Sequence, residues 1–262
     1  MQLSFIDTHC HLDLLSDCKQ QIDKARKKGV TKIVVPAVDP NNFSIVKTIA
    51  SENTGIFYSV GIHPCVTQNI SIEDIIYLEN FLIKNINDPK LVAVGEIGLD
   101  FFLKNLNRSK MEKIYISQLN LAKKFSLPVL LHVRKAQDLI LKYFKTSGVS
   151  SGIAHAFNGS SEQADKFINS GLVLGFGGAM TYERALQIRR IACNVPLDSF
   201  VFETDSPDLL PCWSKNGIQN SPSEIPMIAT CFASIRGESI HKIAYQSNKN
   251  ACRVLPKLPK NA

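Results

Sequence analysis

The chain has 262 residues, 45% hydrophobic and 20% charged, which gives a sizeable core and excludes disordered and fibrous classes. Its seven cysteines form no C-x-x-C pair and are odd in number, so neither a disulfide framework nor a structural zinc knuckle is expected. No basic leader opens the sequence and no apolar run approaches the roughly 18 residues needed to cross a bilayer, so a cytoplasmic protein with no membrane partner is expected.

The first apolar run, 3–7, leads straight into Asp7-Thr-His9-Cys-His11. A basic run at 24–28 then reads as a solvated helix face, and Gly29 stops that helix before a second strand at 32–36. The third strand, 56–61, is followed by His63-Pro64 and a helical pattern over 72–86. The fourth, 91–96, ends in Gly95-Glu96-Ile-Gly98-Leu-Asp100, and a helix is expected over 110–125. The fifth, 128–132, ends in His132-Val-Arg134, before a helix over 136–144 and Gly148. The sixth, 152–156, carries His155, and the seventh, 171–176, opens at Gly171. The eighth, 199–203, ends in Glu203-Thr-Asp205-Ser-Pro207, and helical patterns over 224–235 and 239–251 close the chain.

Short runs rich in Val, Ile, Leu and Phe are what strands buried on both faces require. Eight of them alternating with helices allow a closed barrel or an open doubly wound sheet. No glycine-rich phosphate loop follows the first strand, which disfavours the open sheet. We therefore expect one (β/α)8 barrel over 1–262 with additional C-terminal helices. In such a barrel function gathers at the C-terminal strand ends, and five of the six histidines fall there, His241 excepted.

Side chains at i and i+2 of a strand face one way, so His9 with His11, His132 with Arg134, and Glu203 with Asp205 should share the mouth. That many polar groups are costly to bury unless divalent cations compensate them, and imidazole and carboxylate are good ligands. Six ligands exceed one tetrahedral set, so two ions sharing Glu96 are expected, with zinc, manganese and magnesium all open. His9, His11, Glu96 and Asp205 are assigned to one ion; Glu96, His132 and His155 to the other. Asp205 is ligand or general base, against a helix cap. Glu203 is structural or catalytic, Asp7 is expected to orient a histidine from behind, and His63 is a substrate contact or structural. Arg134 suits a phosphate, with pairing to a neighbouring carboxylate as the alternative. Cys10 is placed in the core.

Together, Phe5-Ile-Asp-Thr-His-Cys-His-Leu-Asp13, Gly61-Ile-His-Pro64, Val94-Gly-Glu-Ile-Gly-Leu-Asp100, Leu131-His-Val-Arg134, His155-Ala-Phe-Asn-Gly-Ser160 and Glu203-Thr-Asp-Ser-Pro207 resemble the TatD family of metal-dependent hydrolases, among the amidohydrolase-like barrels. The resemblance spans essentially the whole chain. It implies a two-metal (β/α)8 barrel and, in characterised members, deoxyribonuclease activity on single-stranded or damaged DNA. It places the metal ligands on the same six residues and the substrate contact on His63 and Arg134; Asp205, as general base, and Glu96, as the shared carboxylate, are the catalytic candidates. Three departures bear on substrate range: Val133 replaces the commoner serine, Asn220-Ser-Pro222 lacks an acidic residue, and no tyrosine follows Asp100. The net charge of +7 suits DNA, or equally tRNA. A two-metal hydrolase of another ester or amide, such as aminoacyl-tRNA or a small molecule, is the second reading, and a non-catalytic nucleic-acid binder the third. A monomer is expected.

Overall fold

The computed structural model describes residues 3–104, 106–214 and 219–260. The single domain expected over 1–262 includes residues 1, 2, 105, 215–218, 261 and 262, which lie outside the described residues. Eight strands alternate with helices: β1 (Phe5–Asp7), α1 (Cys18–Lys27), β2 (Val30–Pro36), α2 (Phe43–Glu52), β3 (Ile56–Val60), α3 (Ile72–Asn85), β4 (Leu91–Asp100), α4 (Arg108–Lys124), β5 (Val129–Arg134), α5 (Gln137–Ser147), β6 (Gly152–His155), α6 (Ser161–Ile168), β7 (Leu172–Phe176), α7 (Leu186–Asn194) and β8 (Phe200–Phe202). Two further helices, α8 (Ile225–Arg236) and α9 (Ile240–Val254), complete the chain. Among the described residues no helix is long and apolar enough to cross a membrane.

The strands lie parallel in the order β1 to β8, as the alternation predicts for a (β/α)8 barrel. The seam between β8 and β1 is drawn together just beyond both strands. Thr8 N donates to Phe202 O at 3.0 Å, Asp205 N to His9 O at 2.9 Å and His11 N to Ser206 O at 2.8 Å. The segments carrying three of the expected ligands are therefore tied to one another through their backbones.

Local sequence sets the helix ends. The Ser160 hydroxyl accepts from Gln163 N at 3.1 Å while the Gln163 side chain accepts from Ser160 N at 3.0 Å, so two donors at the start of α6 are satisfied reciprocally. Gly148 and Gly237 take left-handed φ of 74° and 66° where α5 and α8 stop. The core has two parts. Apolar helix faces pack against the outside of the barrel. Inside, Ile6, Val34, Phe57, Val92, Leu130, Ile153, Val173 and Val201 form a separate cluster with Val254, Leu255 and Leu258, so the end of α9 closes the floor. Polar side chains are left to the opposite, C-terminal end.

The main difference from expectation is β4, which continues past Glu96 to Asp100, and β5, which continues to Arg134. The glycines at 95 and 98 do not end the strand. After an irregularity between Val94 and Ile97, the ladder resumes with Gly98 opposite His132 and Asp100 opposite Arg134.

Candidate metal centre

The strand ends bring His9, His11, His63, Glu96, His132, His155 and Asp205 into one buried cluster. His9 Nε2 lies 3.3 Å from His11 Nε2. Glu96 Oε2 approaches these two nitrogens at 3.1 and 3.7 Å, and Asp205 Oδ1 at 3.6 and 3.5 Å. The other oxygen of Glu96, Oε1, faces the opposite way, 2.8 Å from His132 Nδ1 and 3.5 Å from His63 Nε2. His155 stacks on His9 with ring centroids 3.6 Å apart, and its Nε2 is 3.5 Å from Asp205 Oδ2.

Three triads have donor atoms all within 4.8 Å of one another: His9, His11 and Glu96; His9, His155 and Asp205; His63, Glu96 and His132. All six ligands expected from the sequence are thus brought together. The grouping around them differs from the expected division in one respect. His63, not His155, stands beside Glu96 and His132, its Nε2 3.0 Å from His132 Nδ1.

The donor set fits divalent cations. Two imidazole nitrogens 3.3 Å apart, each also facing two carboxylates, set lone pairs against lone pairs unless a proton or a cation lies among them. The charges respond accordingly. Burial, and then the neighbouring His155, lower the pKa of His9. Burial also works against charge on His155, but Glu203 and Asp205 outweigh it and raise that pKa well above the usual imidazole value. For Glu96, burial is overcome by His63, His9 and His132, which hold the carboxylate well below its ordinary range. Burial is likewise overcome at Asp205, where His155 and His11 lower the pKa.

Three carboxylates stand behind the histidines. Asp100 Oδ2 accepts from His132 Nε2 at 3.1 Å, fixing that ring so that Nδ1 looks into the centre. This role was missed in the sequence, although Asp100 lies four residues beyond Glu96 on one strand and so on the same face. Glu203 Oε1 lies 3.1 Å from His155 Nδ1 and accepts from Ala156 N, while Oε2 is buried without a partner. Gly175 on β7 makes room for this carboxylate; a Cβ there would overlap it. Asp7 acts differently from expectation. It holds the backbone of His9 rather than its ring, accepting from His9 N at 3.2 Å, from Thr204 N at 3.1 Å and from Thr204 Oγ1 at 2.6 Å. Burial, opposed by those bonds, pushes its pKa up to about 8.

Asp205 does not cap a helix. It takes φ of 54° in the turn after β8, and Asn220 braces that turn through its amide to Thr204 O and Asp208 O, both at 2.8 Å. Arg134 is half-exposed, with Nη1 3.8 Å from Asp100 Oδ2 and its guanidinium 4.0 Å from the centre of the Phe102 ring. Cys10 is buried in the core.

Residues 6–256 match the family profile described as TatD related DNase. The metal-dependent hydrolase YjjV of Escherichia coli K12 is 35% identical over 247 residues, covering 92% of this chain and 93% of that protein. Its crystal structure superposes with a TM-score of 0.94 at 33% identity, covering 99% of this chain and all of the other. A metal-dependent hydrolase of Haemophilus influenzae is 36% identical over 263 residues, covering 96% and 99%. The human protein named deoxyribonuclease TATDN3 is 28% identical over 271 residues, covering 98% and 96%.

Proposed function

The chain belongs to the TatD family of metal-dependent hydrolases, and from that premise we propose that it is a deoxyribonuclease with a two-metal centre. The observation that carries the reading is the attitude of Glu96, whose two oxygens face two separate sets of imidazoles. His9, His11, Glu96 and Asp205 would hold one ion, and Glu96 and His132 the other, with His63 beside them; His155, expected in that second set from the sequence, stands instead against His9 and Asp205. The ions supply Lewis acidity, making water a competent nucleophile near neutral pH and offsetting charge on the phosphoryl oxygens.

The chain's own groups then do the rest. Asp205, kept ionised by His155 and His11, accepts the proton of the attacking water. Arg134 and His63 bind the non-bridging oxygens and align the phosphate for in-line attack. Asp100 and Glu203 hold His132 and His155 in orientation. The name of the human relative supports DNA as substrate. So do the exposed cations on the loops that follow the strands: Lys104 after β4, Arg134 and Lys135 at the end of β5, and Arg184 after β7.

The test is to strip the purified protein with a chelator, reload it with manganese, magnesium or zinc, and digest a labelled single-stranded oligonucleotide. Cleavage that vanishes on stripping and returns on reloading is expected. Cleavage indifferent to the metal, or turnover confined to aminoacyl-tRNA or lactones, would overturn the assignment.

A further inference from the structure

Next to the centre, the segment leaving β4 displays an aromatic ring in an unusual setting. Phe102 is 56% exposed, yet its backbone is fixed. Phe102 N donates to Asp100 Oδ1 at 2.9 Å, Leu103 N to the same oxygen at 3.3 Å, and Phe101 N to Arg134 O at 2.9 Å. The carboxylate that anchors this turn is the one that orients His132. Arg134 lies over the Phe102 ring at 4.0 Å while its Nη1 stays 3.8 Å from Asp100 Oδ2. Ring, guanidinium and metal-facing imidazole thus share one carboxylate as their common support.

A phenyl this exposed gains little from the core. What it offers is a flat apolar face on an anchored backbone, packed against Arg134, the cation assigned to the phosphate. Nucleobases are recognised through that combination: the ring stacks on the base and the arginine holds the backbone. A base within a duplex has both faces covered by its neighbours, so only an unstacked base could take the place.

We propose that Phe102, with Arg134 lying on it, is the stacking platform for one unpaired nucleobase of the strand whose phosphate sits at the centre. This rests on the phosphodiesterase reading above and deepens it. The platform makes turnover depend on the presence of a base beside the phosphate at the centre, whatever its identity, since every base has a face to stack.

The test compares metal-loaded wild type, F102A and F102W on two single-stranded oligonucleotides of equal length. One carries natural bases; the other carries tetrahydrofuran residues in place of the nucleosides. F102A should raise KM for the base-bearing strand on the order of tenfold, more than it lowers kcat, and should erase the preference over the base-free strand. F102W should keep that preference. The platform is overturned if F102A leaves the KM for the base-bearing strand unaltered, or weakens both substrates equally. Wild type that cleaves neither strand while hydrolysing another substrate overturns the nuclease reading and the platform together; that failure is recognisable because it occurs in the unmutated enzyme.

Discussion

Asp205 is asked to be both a ligand and a proton acceptor, and an amide can keep part of the first task but not the second. D205N should therefore retain metal, measured by elemental analysis, while kcat falls by about 10²–10⁴-fold. Full activity in a metal-loaded D205N would exclude it as the base. Asp100 gives the complementary case: it touches no substrate but fixes the ring of His132. D100N should weaken metal binding roughly 10–100-fold, as read by calorimetric titration against a chelator buffer. An unchanged affinity would mean that Glu96 alone orients His132. Residues such as His9-x-His11 and Glu203-x-Asp205 could be read from the sequence because they follow apolar runs, although both pairs lie just past the ends of β1 and β8, where turns rather than the two-residue strand repeat direct their side chains. The partners behind them were harder to see, since a carboxylate aimed at a ring and one aimed at a backbone amide look alike in one dimension. Asp7 and Asp100 illustrate the two outcomes.

At the level of elements, each strand was visible as a short apolar run, and the ends were set by geometry that composition does not carry. The fourth apolar run was expected to end at Glu96, yet β4 runs on because β5 continues to pair with it as far as Arg134. The neighbourhood of His63 follows from ring order: β3 and β5 flank β4, which brings His63 and His132 together at one oxygen of Glu96. His155, at the end of β6, instead meets His9 on the far side of the seam. Strand β7 contributes no ligand, but its Gly175 is the wall against which Glu203 rests. G175A should displace that carboxylate, costing about 1–3 kcal/mol of stability by thermal melting and a larger share of the activity. Activity within twofold of wild type would show that His155 needs no support from Glu203.

At the level of the whole molecule, length and alternation left a closed barrel or an open sheet, and the missing glycine-rich loop together with polar residues at the strand ends pointed to the barrel. The metals should stabilise it as a body. Ligands from both sides of the β1–β8 seam converge on one centre, so ions at 100 times their Kd should add about 2.7 kcal/mol, and chelation should lower Tm by several degrees. A Tm indifferent to chelator would argue that the centre binds metal weakly. With a net charge of +7, cleavage of DNA should also weaken with salt through KM, the logarithm of kcat/KM falling linearly with that of ionic strength. A flat salt profile would point instead to a small neutral substrate.

The plug that α9 makes under the barrel has a consequence for traffic. With the lower end closed by Val254, Leu255 and Leu258, the candidate metal centre is approached from the C-terminal end of the barrel alone. On the proposed nuclease reading, a strand would have to arrive with a free end or a slack loop, and both of its pieces would leave on that same side.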